Sequence, residues 1–259
     1  MPFHQPDTVR YYTFDLLDDA GLTHAVMTRV GGVSPAPWST LNLGGTVGDD
    51  PQRVKQNRLR SIRAVGRAAE SVYDSWLVHG SDVACASSPR TPDQIPLKAD
   101  VILTDRPDVT LFMRFADCVP ILLYDPRRRV VGLVHAGWQG TVRFTALAAV
   151  QAMQSEYGSQ PANILAGIGP SIGVDHYEIG EDVAVQVRQT FGQDASALLP
   201  TVNGGTFFDL WAANRLILES ASVTMIEVSG LCTACHVDDW YSHRAEKGRT
   251  GRFGALINL

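Results

Sequence analysis

The chain has 259 residues, of which 45% are hydrophobic and 19% are charged, as is typical of a globular protein rather than a disordered or fibrous one. Its net charge of -5 argues against a broad nucleic-acid surface, because binding to phosphate backbones requires a basic face. No run approaches the roughly 18 apolar residues of a membrane span, and the N-terminus does not resemble a secretory signal. We therefore expect a cytoplasmic protein, folded as one domain over residues 1–259, with a small-molecule partner.

Ten runs with β-branched or aromatic enrichment are predicted to be strands. They cover residues 9–15, 24–29, 76–79, 100–104, 109–115, 121–125, 130–135, 163–168, 223–228 and 253–258. The sheet content should therefore be high.

Four helices are predicted between these strands. The first opens at Asp50-Pro51, a capping residue followed by a proline at the first helical position. The second covers residues 140–157, the third runs from Glu181 to Gly192, and the fourth starts after Asp209. Because strands and helices do not alternate strictly, the fold class is predicted to be α+β, a sandwich of mixed sheets flanked by helices.

A hairpin around residues 125–129 brings two metal-ligand residue types together. Two apolar runs flank this turn, and a turn centred near 127.5 pairs residues whose numbers sum to about 255. His135 then lies opposite residue 120, within two positions of Cys118. A cysteine sulfur and an imidazole nitrogen at this spacing can reach one ion.

His79 ends a short apolar run before a turn and is the candidate third ligand. One cysteine and two histidines leave a tetrahedral zinc ion one ligand short, which is the arrangement of a catalytic site. Zinc is therefore the expected cofactor, with copper as the alternative, since this ligand set suits both metals. The competing interpretation is that Cys118 is a small buried hydrophobic residue and that the two histidines pack or lie at the surface.

These residues belong to a set of motifs that resembles the YfiH or laccase-domain family, also described as peptidoglycan editing factors and multicopper polyphenol oxidases. The order and spacing agree from about residue 23 to the end, and the most specific motifs are Ala116-Asp117-Cys118-Val119-Pro120 and His135-Ala136-Gly137-Trp138. Others are 28–34, 42–44, 47–50 with 57–58, 78–80, 99–100, 169–173 with 177–178, 232–233, 241–244 and 250–252. Leu77 and Gln139 depart from the family pattern, where glutamine and arginine are common, and this bears on substrate preference.

The resemblance implies a zinc site at His79, Cys118 and His135. It also implies phosphorolysis of purine nucleosides (adenosine, inosine, guanosine and methylthioadenosine) and deamination of adenosine, so a purine nucleoside and phosphate are the expected partners. Phosphate suits the planar fork of an arginine, and the candidates are Arg29, Arg58 and Arg244, each of which could instead be a solvated surface charge.

Two further residues have open roles. Asp117 could carry a proton during deamination or could brace its loop. Asn42 could contact the sugar or base, or could simply occupy a turn.

Two other patterns in the sequence, and two other functions, are alternatives to this interpretation. Cys232-Thr233-Ala234-Cys235-His236 matches the haem-attachment pattern, but a second metal pair, a redox pair or unpaired thiols are alternatives. Arg127-Arg128-Arg129 is typical of a solvated loop rather than a nucleic-acid patch. The rival functions are a copper polyphenol oxidase, which seven histidines without an HxH pair disfavour, and a peptidoglycan-precursor hydrolase with Cys118 as its nucleophile.

Overall fold

The computed structural model describes residues 2–259. The strands of this part of the chain are β1 (Phe3–His4), β2 (Tyr11–Tyr12), β3 (Thr23–Met27), β4 (Val72–Asp74), β5 (Val83–Cys85), β6 (Val101–Thr104), β7 (Thr110–Phe115), β8 (Val119–Asp125), β9 (Val130–Ala136), β10 (Leu165–Ile168), β11 (Glu178–Ile179), β12 (Thr201–Val202), β13 (Gly205–Phe207), β14 (Met225–Val228) and β15 (Phe253–Asn258). The α-helices are α1 (Asp15–Asp18), α2 (Pro51–Ala64), α3 (Trp138–Val142), α4 (Thr145–Tyr157), α5 (Glu181–Phe191), α6 (Ala195–Leu198) and α7 (Leu210–Ser220). Within residues 2–259, no helix combines the length and the apolar character needed to cross a membrane.

The strands form two six-stranded sheets and one small sheet. The first sheet has the order β1-β2-β3-β15-β7-β4, the second has the order β14-β10-β8-β9-β6-β5, and the third is β11-β13-β12. Most neighbours are antiparallel, whereas β4 with β7, β5 with β6 and β10 with β14 are parallel. Both large sheets are therefore mixed, as predicted.

The two large sheets pack face to face through alternate side chains of their strands. Leu111 and Met113 of β7 belong to the same buried cluster as Leu122 of β8 and Leu133 of β9. The residues between them point outward, as Phe112 and Leu123 do, and these are also buried. Because both faces of the central strands are covered, their sequences are nearly continuous apolar runs.

Helices cover the two outer faces of this sandwich. On the second sheet, Ala146, Val150 and Met153 of α4 join a cluster that includes strand residues such as Leu123. On the first sheet, α2 contributes Ile62 to a separate cluster. The predicted α+β sandwich of mixed sheets flanked by helices is confirmed.

The predicted helix boundaries follow their capping residues in three of four cases. The Asp50 side chain accepts hydrogen bonds from the backbone N–H groups of Gln52 and Arg53, and α5 ends at Phe191 with Gly192 as its C-terminal cap. Asp209 caps α7 in the same way through the N–H of Ala212. Local hydrogen bonding therefore sets these helix ends, as the sequence indicates.

The prediction of one helix over 140–157 is wrong, since the chain there forms α3 and then α4. Phe144 separates them with a left-handed φ of 56°. The adjacent Thr145 hydroxyl lies 2.8 Å from the carbonyl oxygen of Gly140 and 2.7 Å from that of Gly80. These side-chain contacts stabilise a break that a hydrophobic pattern does not reveal.

Two strand predictions also need correction. The run 9–15 forms a strand only at Tyr11–Tyr12, because α1 starts at Asp15. The run 76–79 is irregular apart from an isolated bridge between Trp76 and Lys98. The backbone turns sharply at His79, as described below, so the run does not continue as a strand.

Candidate metal centre and cleft

The chain crosses between the two large sheets at the candidate metal centre. Residues 75–82 lead from β4 in the first sheet to β5 in the second, and residues 116–118 lead from β7 to β8 in the same sense. His79 lies in the first crossing and Cys118 in the second. With His135, they offer ligand atoms that all lie within 4.8 Å of one another. The two crossings therefore meet where three metal-ligand side chains converge.

His135 lies near the end of β9, directly opposite Pro120 of β8. This is the register predicted from the hairpin turn. The ring is buried, and its Nδ1 lies 2.8 Å from Oδ1 of Asp100. A carboxylate at this position fixes the tautomer with the proton on Nδ1, which leaves Nε2 free to bind a metal ion.

Asp100 positions His79 as well as His135. The chain at Val78, His79 and Gly80 wraps around this buried carboxylate and donates backbone hydrogen bonds to it at 3.1, 3.1 and 2.7 Å. Burial alone would raise the pKa of Asp100, but the hydrogen bonds from His135 and from the Gly80 N–H hold the pKa below its usual value. The sequence interpretation did not assign Asp100 a role, although an acidic residue directly before a buried apolar strand was a usable signal.

His79 adopts a left-handed backbone conformation, with φ of 58°. Side chains other than glycine are rarely found there, so the turn around the Asp100 carboxylate compensates for the strain. This reversal explains why the run before His79 does not continue as a strand. His79 is exposed, Cys118 is half-buried and His135 is buried, so the group opens from the core toward solvent.

The cysteine and histidine of this group perturb each other electrostatically. Burial would raise the pKa of the Cys118 thiol, but His135 and His79 lower it to about 6. Burial would likewise lower the pKa of His135, whereas Cys118 and Asp100 raise it to about 9. Gly137 makes room for the group, because a Cβ there would lie 2.8 Å from Cys118 Sγ and 3.2 Å from His79 Nδ1. A thiolate beside an imidazole is the form in which these side chains bind metals.

The three side chains open into a cleft of about 720 Å³. Its walls combine aromatic rings with guanidinium groups. The aromatic side chains are Trp76, Trp138 and Tyr177, and the arginines are Arg58, Arg90, Arg114, Arg244 and Arg252. Such a mixture of flat apolar surface and positive charge suits a ligand with an aromatic ring and an anionic group.

Of the three predicted phosphate-binding arginines, Arg29 does not line this cleft. Its guanidinium lies over the ring of Tyr241 at 4.3 Å and forms an ion pair with Glu246 at 3.1 Å. It also donates to the carbonyl oxygens of Ser39 and Val237. Arg29 therefore lies outside the cleft with its guanidinium donors bound to protein groups, and its phosphate-binding role stays a prediction that these contacts disfavour.

Arg58 and Arg244 do lie on the cleft, in different settings. Nε of Arg58 donates to the Leu43 carbonyl at 3.0 Å. Burial first, and then the nearby charge of Arg114, lower the pKa of Arg58 to about 10. Arg244 lies over the Tyr177 ring at 5.0 Å and donates to the carbonyl of Glu178 at 2.8 Å. Within residues 2–259 neither arginine has a carboxylate partner in an ion pair.

Asn42 is fully buried and does not reach the cleft. Its Nδ2 donates to Asp49 at 2.9 Å, and its Oδ1 accepts from the backbone N–H groups of Gly44 and Arg252 at 3.0 and 2.9 Å. These hydrogen bonds favour the turn role, one of the two alternatives that the sequence left open, over the predicted contact with the sugar or base. Because Arg252 lines the cleft, its hydrogen bond to Asn42 connects this turn to the cleft wall.

Asp117 lines the cleft, but both of its oxygens have protein partners. Oδ1 accepts from the Thr233 hydroxyl at 2.7 Å, and Oδ2 accepts from the backbone N–H of Arg244 at 2.7 Å. The backbone of Asp117 is left-handed, with φ of 79°. These contacts favour the interpretation that Asp117 braces the crossing that carries Cys118.

The other cleft arginines were not singled out from the sequence. Arg90 and Arg114 both bind Asp74, at 2.6 and 2.8 Å, so their charge is partly balanced. Arg252 packs over Gly44, where a Cβ would lie 2.7 Å from its Cγ, and burial lowers its pKa. A charged residue inside an apolar strand, as Arg114 is in β7, is the kind of signal that could have identified these residues.

Comparison with known proteins agrees with the motifs that form this site. Residues 23–259 match the family described as multi-copper polyphenol oxidoreductase laccase. The chain belongs to this family. A relative from Deinococcus radiodurans, named purine nucleoside phosphorylase, is 41% identical over 239 residues, covering 91% of this chain and 88% of its own.

Solved structures of other proteins share the fold of this laccase-like family member. YlmD from Geobacillus stearothermophilus has a TM-score of 0.92 at 33% identity, covering 99% of this chain and 98% of its own. The hypothetical protein YfiH from Bacillus licheniformis has a TM-score of 0.90 at 31% identity, covering 100% and 99%. The resemblance inferred from the motifs is confirmed, and the family suggests metal binding, for which His79, Cys118 and His135 form a suitable group.

Proposed function

We propose that this chain is a metal-dependent purine nucleoside phosphorylase, which splits a nucleoside with phosphate inside the arginine-lined cleft. The observation that carries the proposal is that one cleft contains the His79, Cys118 and His135 side chains, several guanidinium groups and three aromatic rings. Relatives from Deinococcus radiodurans and Geobacillus stearothermophilus, 41% and 34% identical to this chain, carry the name purine nucleoside phosphorylase. The chemistry of the cleft and the names of these relatives support the same reaction.

The donor set fits a zinc ion. A thiolate and two imidazoles are zinc ligands, and the carboxylate of Asp100 behind His135 is the partner that metal-binding histidines usually have. A zinc ion bound there would polarise a substrate oxygen or lower the pKa of a water molecule. The three side chains converge on the cleft wall, which leaves the opposite side of the group open to substrate.

Phosphate is assigned to Arg58 and Arg252. Both are half-buried, and burial lowers the pKa of each. A phosphate anion bound between them would favour the charged form of both guanidinium groups. Neither has an ion-pair partner within the described residues, whereas Arg90 and Arg114 are bound to Asp74. Arg244, which lies over the Tyr177 ring, is assigned to the nucleoside.

The reaction needs a phosphate oxygen close to C1′ of the ribose. A bond forms between that oxygen and C1′ while the bond from C1′ to the purine nitrogen breaks, and hydrogen phosphate supplies the proton that the departing base takes up. The arginines hold the nucleophile, and the rings of Trp76 and Trp138 offer flat surfaces for the base. Half of the Trp76 surface is exposed, so its ring is accessible to a base in the cleft.

Adenosine deamination is proposed as a second activity of the same cleft. The supporting observation is that the metal-ligand group consists of three side chains, which leaves a fourth position for water. Asp117 is assigned to bracing rather than to proton transfer, since both of its oxygens already accept hydrogen bonds.

A product assay by chromatography tests the proposal. The zinc-loaded protein is incubated with adenosine in the presence and absence of phosphate, beside Cys118→Ala and the matched control Cys85→Ala, which removes an exposed cysteine outside the cleft. We expect adenine and ribose 1-phosphate only with phosphate, at least about a hundredfold less product from Cys118→Ala, and an unchanged rate from the control.

The outcomes separate the rival functions. Inosine would add the deaminase, and oxidation of phenols by copper-loaded protein without any nucleoside cleavage would favour the oxidase. Activity that survives chelation but not thiol alkylation would instead indicate Cys118 as a hydrolytic nucleophile.

The phosphate assignment has its own measurement. Arg58→Ala and Arg252→Ala should each raise the KM for phosphate about 10- to 100-fold, because a charge-assisted hydrogen bond contributes about 1.5–3 kcal/mol. Arg53→Ala is the matched control, since it lies exposed on the same helix as Arg58. An unchanged phosphate KM in both cleft variants would refute the assignment.

A further inference from the structure

A second cluster of metal-ligand side chains lies outside the cleft. Asp175 and His176 belong to a short turn after β10, and Cys232 and Cys235 belong to the segment after β14. Each offers a ligand atom within 4.8 Å of all the others. We propose that these four side chains form a second, structural zinc site that holds the cleft wall in place.

The separations between the ligand atoms match those around a tetrahedral zinc ion. With zinc–sulfur bonds of about 2.3 Å and zinc–nitrogen or zinc–oxygen bonds of about 2.0–2.2 Å, tetrahedral angles place sulfur about 3.6 Å from nitrogen or oxygen, and nitrogen about 3.4 Å from oxygen. Cys235 Sγ lies 3.5 Å from His176 Nδ1 and 3.7 Å from Asp175 Oδ2. Cys232 Sγ lies 3.9 Å from the same nitrogen, which is 3.1 Å from the carboxylate. These four separations lie within a few tenths of an ångström of the tetrahedral values, and the other two are no longer than 4.8 Å.

The backbone around the cluster is already ordered by hydrogen bonds. The Gly173 N–H donates to Cys232 Sγ at 3.2 Å, a contact that suits a sulfur carrying negative charge. Thr233 and Ser171 pair through the 3.0 Å bond from the Thr233 N–H to the Ser171 carbonyl. The two cysteines are separated by two residues, which is the usual spacing of a zinc-binding pair. Cys232 is buried and Cys235 is exposed, so an ion can enter from solvent.

The cluster is directly connected to the cleft. The residue after His176 is Tyr177, whose ring lies under the Arg244 guanidinium. The carbonyls of His176 and Glu178 accept hydrogen bonds from Arg244 at 3.4 and 2.8 Å. Zinc at the cluster would therefore fix the turn that supports this wall. Four protein ligands give a closed site, which points to a structural rather than a catalytic ion.

Metal counting tests the proposal independently of enzymatic activity. The untagged full-length chain is reduced, freed of metal with a chelator, dialysed against buffered zinc and analysed by mass spectrometry for bound zinc per chain. We expect two equivalents for the wild type, and one for Cys235→Ser. The matched control Cys85→Ser, at another exposed cysteine, should keep both.

The two zinc sites can be lost separately. Cys118→Ala should keep one equivalent, and the double variant Cys118→Ala/Cys235→Ser should bind none. With cobalt in place of zinc, Cys118→Ala should retain the intense near-ultraviolet band of a two-thiolate site, which Cys235→Ser should lose.

The exposed Asp175 provides a second variant that leaves both cysteines intact. Asp175→Asn should weaken zinc binding to the cluster at least about tenfold in competition with a chelator.

Several results would overturn the proposal. A single equivalent of zinc in the wild type that Cys118→Ala loses would do so, as would two equivalents in Cys235→Ser. A Cys232–Cys235 disulfide that persists in the reduced, zinc-loaded protein, measured as a loss of two free thiols, would replace the metal site by a redox pair. None of these results depends on nucleoside cleavage, so they are distinguishable from a failure of the proposed catalytic function.

Discussion

Replacing Asp100 with asparagine should separate the positioning of the metal ligands from the ligands themselves. The carboxylate accepts four hydrogen bonds, two at each oxygen, from His135 Nδ1 and from the backbone N–H groups of Val78, His79 and Gly80. An asparagine keeps the shape but has only one acceptor oxygen. Whichever way its amide turns, two donors lose their acceptor and face an NH₂ group.

The expected loss is large because the site is buried. Removing one partner of a buried charged network costs about 3–5 kcal/mol, so the free energy of unfolding of the metal-free protein should fall by that amount. If the amide nitrogen faces His135, the proton moves to Nε2, the nitrogen that a metal ion requires. Zinc affinity should therefore fall about 10- to 100-fold beyond any loss of stability.

The pH dependence follows from the lowered pKa of Asp100. Its folded-state pKa lies below the unfolded value of about 3.9, so the stabilisation is fully present above that value and is lost as the pH falls through the folded pKa. The difference between wild type and Asp100→Asn should be constant from about pH 5 to neutrality and should narrow in acid below about pH 4.

Urea unfolding of the metal-free proteins and zinc competition with a chelator measure the two effects. Asp105→Asn is the control, since this carboxylate is exposed at the other end of the same strand. If Asp100→Asn unfolds within about 1 kcal/mol of the wild type and binds zinc equally well, then the carboxylate does not position the ligands as argued.

Three further predictions test other parts of the site. In metal-free Cys85→Ser protein, alkylation of Cys118 should rise with a midpoint near pH 6, because His135 and His79 lower the thiol pKa despite its burial; adding His135→Ala should move the midpoint upward, and an unmoved midpoint would contradict the pairing. Arg29→Ala should lower the free energy of unfolding by about 2–3 kcal/mol, since it loses an ion pair and two carbonyl contacts, while the phosphate KM changes less than about twofold in the assay. Asn42→Ala should cost about 3 kcal/mol in urea unfolding and also raise the phosphate KM, because the turn that holds Arg252 loses its acceptor; a variant with normal stability would refute its turn role.

Local signals in the sequence predicted the hairpin and most helix ends. The apolar runs around residues 125–129 determined the register that places Pro120 opposite His135, and a single helix cap such as Asp50 determined where α2 begins. Both depend on interactions within a few residues, which a sequence displays directly. The sandwich fold, the family and the convergence of the three ligand side chains followed from these patterns and motifs. The assignment of residues 1–259 to one domain stays a prediction, as does residence in the cytoplasm.

Contacts between distant segments could not be predicted in the same way. Arg29 and Arg58 were equal candidates from the sequence, but Arg29 pairs with Glu246 and Arg58 lies in the cleft. Which arginine remains unpaired is decided by residues more than 200 positions away in the first case. Likewise, Asn42 accepts a hydrogen bond from Arg252, which lies 210 positions away directly before β15, a strand inserted between β3 and β7 of the first sheet.

The position of the site explains why its residues come from loops that look unrelated. A chain that passes from one sheet of a sandwich to the other must leave the hydrogen-bonded ladder, so its backbone groups need other partners. At the first crossing the Asp100 carboxylate supplies them, and at the second the Asp117 side chain links the loop to Thr233 and Arg244. The same carboxylates that satisfy the crossings also orient His135 and the wall of the cleft. The same two side chains therefore stabilise the crossings and position the site. Substitutions at Asp100 or Asp117 should affect stability and ligand binding together.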